Sequence, residues 1–276
     1  MVDEQLDELA TKVSRDVPHS ARIWNYWMGG KDNYEVDRAA GDAGIEVYPD
    51  IVTMAVQSRQ FLIRTVRYLA SEAGIRQFLD IGTGLPTMQN THEVAQQVAP
   101  ESKIVYVDND PLVLVHARAL LRNTTAEGVT AYIDADFHDP DLIIADARNV
   151  LNLNQPIGVM FMGVLGHVAE CDEARSIVRR VMDAVPSGSY LVLYEGNDTN
   201  QGYVDLCTAY TKTGGVPYIP RSNEQISQCF DGWRWWTRAW CRSPSGGRTP
   251  PRSARRSLLT PPTAPWHASR KACRTT

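Results

Sequence analysis

The chain reads as an α/β protein built on a doubly wound, mostly parallel sheet. Three observations predict this. From Gln77 to Gly196, five short β-rich apolar runs alternate with helical patterns. The runs are nearly continuous Val, Ile, Leu and Phe, as strands buried on both faces require. The first three runs also end in or beside aspartates, on the strand edge where such sheets bind ligands.

Taken in order, the strands are QFLDIG, KIVYVD, VTAYID, IGVMFMGV and SYLVLYEG, and the helical candidates between them include HEVAQQVA, LVLVHARALL and EARSIVRRVMDAV. Ahead of the sheet lie a helical N-terminus, the segment PHSARIWNYWMGGKDNYEVDRAAGD and a helix reading SRQFLIRTVRYLASEAG. In that helix Phe61, Leu62, Thr65, Val66 and Leu69 share one face, which predicts packing on the sheet, and Gly74 terminates it. After the fifth strand come DLCTAYTKT and a short helix begun by Ser222, which has capping-box spacing to Gln225. The boundaries expected are a helical cap or lid over 1–75, a ligand-binding domain over 76–232 and a basic tail over 233–276.

Composition narrows the function classes. The formal charge of -4 conceals a split, because residues 232–276 carry nine Arg and one Lys with no acid, leaving -14 on the body before them. An acidic body argues against nucleic-acid binding unless the basic tail is genuine. No apolar run is long enough to cross a bilayer, and MVDEQLDELATKV is acidic and amphipathic rather than a basic-then-apolar signal, so a cytoplasmic protein without membrane association is expected. The five cysteines are an odd number without CxxC spacing, which predicts free thiols and no metal site.

The chemistry concentrates where the strands end. In FLDIGTGLPT the first strand reaches Asp80 and turns through Gly82, Thr83 and Gly84 before a helix, a turn that lets backbone approach a ligand closely. A dinucleotide fingerprint would place Gly or Ala three residues after Gly84, where Thr87 stands, and Pro86 takes the place of a possible third glycine. The NAD reading weakens accordingly. An acid ahead of the glycines suits a ligand carrying an amino group beside its nucleoside. In IVYVDNDP, Asp108 lies twenty-six residues beyond Gly82, with Asn109 beside it. Such a carboxylate can accept both hydroxyls of a ribose, although an Asp there can also be a plain helix cap. In YIDADFHDP, Asp136 can accept from an exocyclic adenine amine while Phe137 lies against the ring.

Together DIGTG, VDNDP and DAD resemble the nucleoside-binding motifs of class I S-adenosylmethionine-dependent methyltransferases. PHSARIWNYWMGGKDNYEVDR, FLIRTVRYL, FLDIGTGLPT with NTHEVAQ, GVLGH and SIVRRVMDAVPSGSYLVL extend the resemblance to an actinobacterial S-adenosyl methyltransferase family, formerly a domain of unknown function, from about Val17 to about Gly232. The resemblance implies a Rossmann-like fold with S-adenosylmethionine as cofactor. Asp80, Gly82 and Gly84 would border the methionine and ribose, Asp108 the ribose hydroxyls, and Asp136 and Phe137 the adenine. It does not supply the acceptor, for which a small molecule is expected. The alternatives are an S-adenosylmethionine-binding regulatory protein without turnover and an NAD-dependent oxidoreductase.

The segment ARIWNYWMGGKDNY, with Tyr26 and Gly30 among its aromatics and glycines, is expected to border the cofactor as a lid; the plainer reading is a helix packing its aromatics on the sheet edge. His167, just past the fourth strand in GVLGHV, is the candidate general base, and Glu195 in LYEG is a candidate near the acceptor.

After Phe230 the alternation stops, and the two further strands such a fold carries are not legible. DGWRWWTRAWCR instead holds four tryptophans. Tryptophan has the single codon TGG, so a frame displaced by one base turns each Trp into Leu, Met or Val. In that frame Trp236 and Cys241 become Val, Thr237 becomes Asp, and GWRWWTRAWCR is the image of LAVVDPGLVP, a strand and a turn. The tail is therefore expected to be frameshifted or disordered; the competing reading is a basic, Pro-rich arm for nucleic acid.

Overall fold

The structure, a computed structural model, describes residues 15–86, 89–120, 123–235, 240–241, 266–267 and 270–272. The helical N-terminus and most of the basic tail lie outside the described residues. Three helices precede the sheet: α1 (Ser20–Trp27), α2 (Glu35–Val47) and α3 (Ile51–Ser71). There follow β1 (Gln77–Ile81), α4 (Thr91–Val98), β2 (Lys103–Asp108), α5 (Pro111–Leu120), β3 (Val129–Asp134), α6 (Pro140–Ala147) and β4 (Gly158–Met162). A 3-10 turn at Leu165–His167 leads to α7 (Cys171–Asp183), β5 (Ser189–Tyr194), α8 (Gln201–Thr211) and α9 (Asn223–Gln228). The short strands β6 (Arg234–Trp235), β7 (Trp240–Cys241), β8 (Trp266–His267) and β9 (Arg270–Ala272) complete the described elements.

The main sheet has the order β3-β2-β1-β4-β5-β9-β6. Strands β1 to β5 run parallel, so the order reverses direction between β1 and β4, the switch point where doubly wound sheets bind ligands. Register keeps the ligand-binding ends level: Ile81 pairs with Val107 and Asp108 with Asp134. Successive strand residues alternate between two cores. Phe78, Tyr106, Met160 and Val192 pack with α1 to α4 and α8, whereas Leu79, Val105, Phe161 and Leu193 pack with α6, α7 and α9. Each such side chain contributes roughly 1.5–3 kcal/mol of burial.

The helix α3 buries the predicted Phe61, Leu62, Thr65, Val66 and Leu69. The capping box at Ser222 and Gln225 forms as expected. Two helices escaped the reading. In α6, PDLIIADA is a mostly apolar eight-residue run that pattern alone does not distinguish from a strand, and Asp139 caps it by accepting from the Leu142 amide. The other, α2, is masked by two glycines, yet Gly41 and Gly44 are buried and let Trp27 approach.

The expected lack of further strands after Phe230 needs correction. Strands do follow Phe230: β9 pairs antiparallel with β5 and β6 antiparallel with β9. At two or three residues each they are too short for alternation to be legible. Among the described residues no helix is long and apolar enough to cross a membrane.

Candidate active site

A cavity of about 260 Å³ opens at the carboxyl ends of β1, β2, β3 and β4. Its floor begins with the turn after β1. The amides of Gly82 and Thr83 both donate to the Val107 carbonyl, at 2.9 and 3.2 Å, folding the turn back onto β2. Gly82 and Gly84 adopt φ of +70° and +67°, a conformation that side chains other than glycine rarely take. A Cβ on Gly82 would fall 2.3 Å from Val164, whereas one on Gly84 would meet only Ala21 at 3.8 Å. The first glycine is needed for packing and the second leaves the turn open toward the cavity.

Asp108 ties the first two strand ends together. One carboxylate oxygen accepts from the Gly84 amide at 2.7 Å and the other from the Asp110 amide at 3.0 Å. Burial pushes its pKa up, against the lowering effect of those two amides. Each oxygen keeps further acceptor capacity, since a carboxylate offers about four lone-pair sites. At the third strand end, Asp136 accepts from Asn109 Nδ2 at 3.2 Å and from the His138 amide at 2.9 Å, with His138 Nδ1 a further 2.7 Å contact. The Phe137 and His138 rings lie 4.3 Å apart at 32°. Thus Gly82, Thr83, Gly84, Asp108, Asn109, Asp136 and Phe137 are brought to one cavity, as is His167.

Asp80 sits behind that wall rather than on it. It is 2% exposed; one oxygen accepts from Thr91 Oγ1 at 2.7 Å, and the other has no hydrogen-bond partner among the described residues. Burial raises its pKa to about 6, with the Thr91 hydrogen bond and nearby Arg59 acting in the opposite direction. An unpaired buried oxygen is costly unless a ligand donor reaches it.

Tyr26 and Gly30 do not border the cavity. Successive residues of a helix are displaced by about 100°, so Tyr26 lies across α1 from Trp24 and Met28, which do border it. The Tyr26 hydroxyl donates to Asp42 at 2.6 Å, and Gly30 lies against Asn25, where a Cβ would come within 2.4 Å of its amide. The same segment brings His19 to the wall, its Nδ1 3.0 Å from Asp110.

Sequence reading missed Arg59. On an amphipathic helix its charge reads as a solvent face, yet it reaches the cavity wall and donates to Asn90 Oδ1, the cap of α4, at 2.8 Å. Tyr218 was missed as well, because it lies in a segment without pattern.

His167 Nδ1 lies 2.9 Å from the Pro217 carbonyl, which can only accept. That bond puts the proton on Nδ1 and leaves Nε2 with its lone pair. Burial lowers the pKa below the ordinary imidazole value, although the Pro217 contact opposes the shift. Glu195 is buried and does not border the cavity: it accepts from the Leu165 amide at 2.9 Å and from the Tyr218 hydroxyl at 2.8 Å. Burial raises its pKa to about 7, the Tyr218 hydrogen bond and Arg221 lowering it.

A family described as S-adenosyl methyltransferase matches residues 6–236. Two solved structures are similar over nearly the whole chain. One is a protein of the DUF574 family from Streptomyces avermitilis, 37% identical, with a TM-score of 0.82 over 94% of this chain and 98% of that one. The other, from Thermobifida fusca and assigned as a methyltransferase, is 33% identical, with a TM-score of 0.81 over 94% of this chain and 96% of that one. Among curated proteins none matches the sequence.

Proposed function

The chain belongs to the S-adenosyl methyltransferase family and is an S-adenosylmethionine-dependent methyltransferase; from that premise we propose how its residues hold the donor and what they do in transfer. Family membership removes the NAD-linked alternative. A chain of this family that binds without turnover would share the cavity, but an imidazole at its wall, that of His167, with the proton on Nδ1 favours transfer.

In this reading Asp108 takes the ribose hydroxyls on the lone pairs its two amide donors leave over. Asp136 accepts the adenine amine, with Asn109 fixing the carboxylate and Phe137 lying against the ring. The turn Gly82, Thr83 and Gly84 passes along the ribose and methionine. Arg59 suits the methionine carboxylate, and the unpaired oxygen of Asp80 suits its ammonium. The observation that carries the reading is the convergence of Asp108, Asp136 and the glycine turn on one cavity. A crystal structure with S-adenosylhomocysteine tests it, the expected result being both ribose hydroxyls within hydrogen-bond reach of Asp108.

When bound, S-adenosylmethionine supplies a methyl group already activated on sulfur. What the chain adds is alignment and exclusion of water. Trp24 of α1 and Met28 just past its end line the cavity, which supports reading 1–75, of which 1–14 lie outside the described residues, as a cap on the domain 76–232. His167 Nε2 takes the acceptor's proton. The acceptor is a small molecule, and the protein is cytoplasmic and of actinobacterial source, the last in keeping with one relative from Streptomyces.

Residues 233–276 are the image of a displaced reading frame, a proposal supported by the family match ending at 236. Most of these residues lie outside those described. Resequencing the gene across the codon for Gly232 tests it; confirmation of the recorded frame, with the same Trp-rich tail in related genes, would refute it.

A further inference from the structure

A second cavity, of about 90 Å³, lies between α1, α2 and α8. It adjoins the first along a shared wall. Ser20 and Trp24 stand in the walls of both. His167 borders the first cavity and Tyr218 the second, and their rings meet edge to face with centroids 5.2 Å apart.

The chemistry of its wall is one-sided. Among the described residues lining it none is Asp, Glu, Lys, Arg or His. Its polar groups are turned to protein partners: Trp27 Nε1 donates to the Gly41 carbonyl at 3.1 Å, Tyr210 to the Pro18 carbonyl at 3.4 Å and Tyr218 to Glu195 at 2.8 Å. Burial pushes the Cys207 thiol up to about 12, so it stays uncharged. What faces the space is aromatic ring and alkyl surface. The width is built in, because a Cβ on Gly44 would come within 3.1 Å of Trp27 and 3.3 Å of Leu206. At the outer end Ala43 on α2 and Ala209 on α8 are solvent-exposed, which places the mouth between these two helices. A space this small takes one ring rather than a drug-sized molecule, whose sites run to about 300–1,000 Å³.

We propose that this second cavity seats the methyl acceptor, and that the acceptor is a small uncharged molecule whose flat aromatic ring lies against Trp27 and Tyr218 while a ring hydroxyl reaches the first cavity beside His167. The inference rests on the first cavity being the donor site. A cationic amine or a carboxylate would lose hydration here without gaining a counter-charge. In the transfer, the hydroxyl oxygen forms the new bond to the methyl carbon as the sulfur–methyl bond breaks. Sulfur keeps that electron pair and becomes a neutral thioether, and the hydroxyl proton passes to His167 Nε2.

The test is calorimetric titration of 4-ethylphenol into the full chain saturated with S-adenosylhomocysteine, beside tyramine and 4-hydroxyphenylacetate as charged counterparts of similar shape. Two variants, Ala43→Phe and Ala209→Phe, fill the mouth from opposite helices at exposed positions; their S-adenosylhomocysteine affinity and melting temperature report intact folding. The expected result is 4-ethylphenol binding at least tenfold tighter than either charged molecule, weakened at least tenfold by each variant. S-adenosylhomocysteine binding with no phenol binding, equal binding of the charged molecules, or phenol binding indifferent to both variants would each overturn the proposal alone. Failure of S-adenosylhomocysteine to bind the unaltered chain would overturn the donor-site reading and this proposal with it.

Discussion

The Tyr218 hydroxyl donates to Glu195 at 2.8 Å, and the Tyr218 ring can reach that position only because residue 166 is glycine, where a Cβ would lie 2.2 Å from the ring. The glycine after β4 and the acid after β5 thus form one seat for a side chain that comes from a segment without regular structure. Glu195 ionises with a pKa raised to about 7 from 4.5, burial being the main cause. A carboxyl whose folded pKa lies above its unfolded value holds its proton more tightly when folded, so its contribution to stability falls as pH rises from about 4.5 to about 7. Tyr218→Phe removes a donor to the ionised form. The expected loss is about 1.5–3 kcal/mol where Glu195 is charged and about 1 kcal/mol where it is neutral. Urea denaturation at pH 5 and pH 8 measures both, and an equal loss at the two pH values would argue against the pairing.

Placing the methionine ammonium on Asp80 predicts a pH dependence of donor binding. With a free-state pKa of about 6, it is ionised at pH 7.5 and largely neutral at pH 5. If its unpaired oxygen receives the methionine ammonium, affinity for S-adenosylmethionine weakens as pH falls through 6. In Asp80→Asn that dependence is flattened. Titrations at the two pH values on both proteins decide it, and an identical pH dependence in the variant would exclude Asp80 from the ammonium site.

The His167 tautomer can be measured without knowing the acceptor. Nitrogen chemical shifts of the labelled imidazole should show Nδ1 protonated and Nε2 unprotonated at pH 7, with titration below the ordinary 6.5. A proton found on Nε2 at neutral pH would remove this residue as the base.

The two glycines of the β1 turn should differ in their tolerance. Gly82→Ala meets Val164 at 2.3 Å and is expected to cost at least ~2 kcal/mol, adding overpacking to backbone strain. Gly84→Ala has 3.8 Å of room and should cost only the strain, ~1 kcal/mol or a little more. Thermal melts of both variants check the order, and equal losses would contradict the close approach of Val164.

What was legible in the sequence follows from what repeats along it. Five strands with continuous apolar runs, and the helices that keep a helical period, declare themselves through burial. The strand-end residues Asp108 and Asp136 were legible because topology alone puts them on one edge. Arg59 was not, since its placement depends on how α3 lies against the sheet and the cavity. Nor could the spacing of α1 show that Trp24 and Met28, rather than Tyr26, face the cavity without knowing which side of that helix meets the sheet. Tyr218 leaves no local signal at all; only Gly166, which receives its ring, hints at it.

Whether the cavity holds S-adenosylmethionine through Asp108 is tested by calorimetric titration of that ligand into the unaltered chain and Asp108→Ala, with NAD as control. Saturable binding of S-adenosylmethionine and none of NAD is expected, weakened roughly 10–100-fold in the variant through the loss of charge-assisted hydrogen bonds worth about 1.5–3 kcal/mol. Equal affinity in a variant that still melts cooperatively would contradict that role of Asp108.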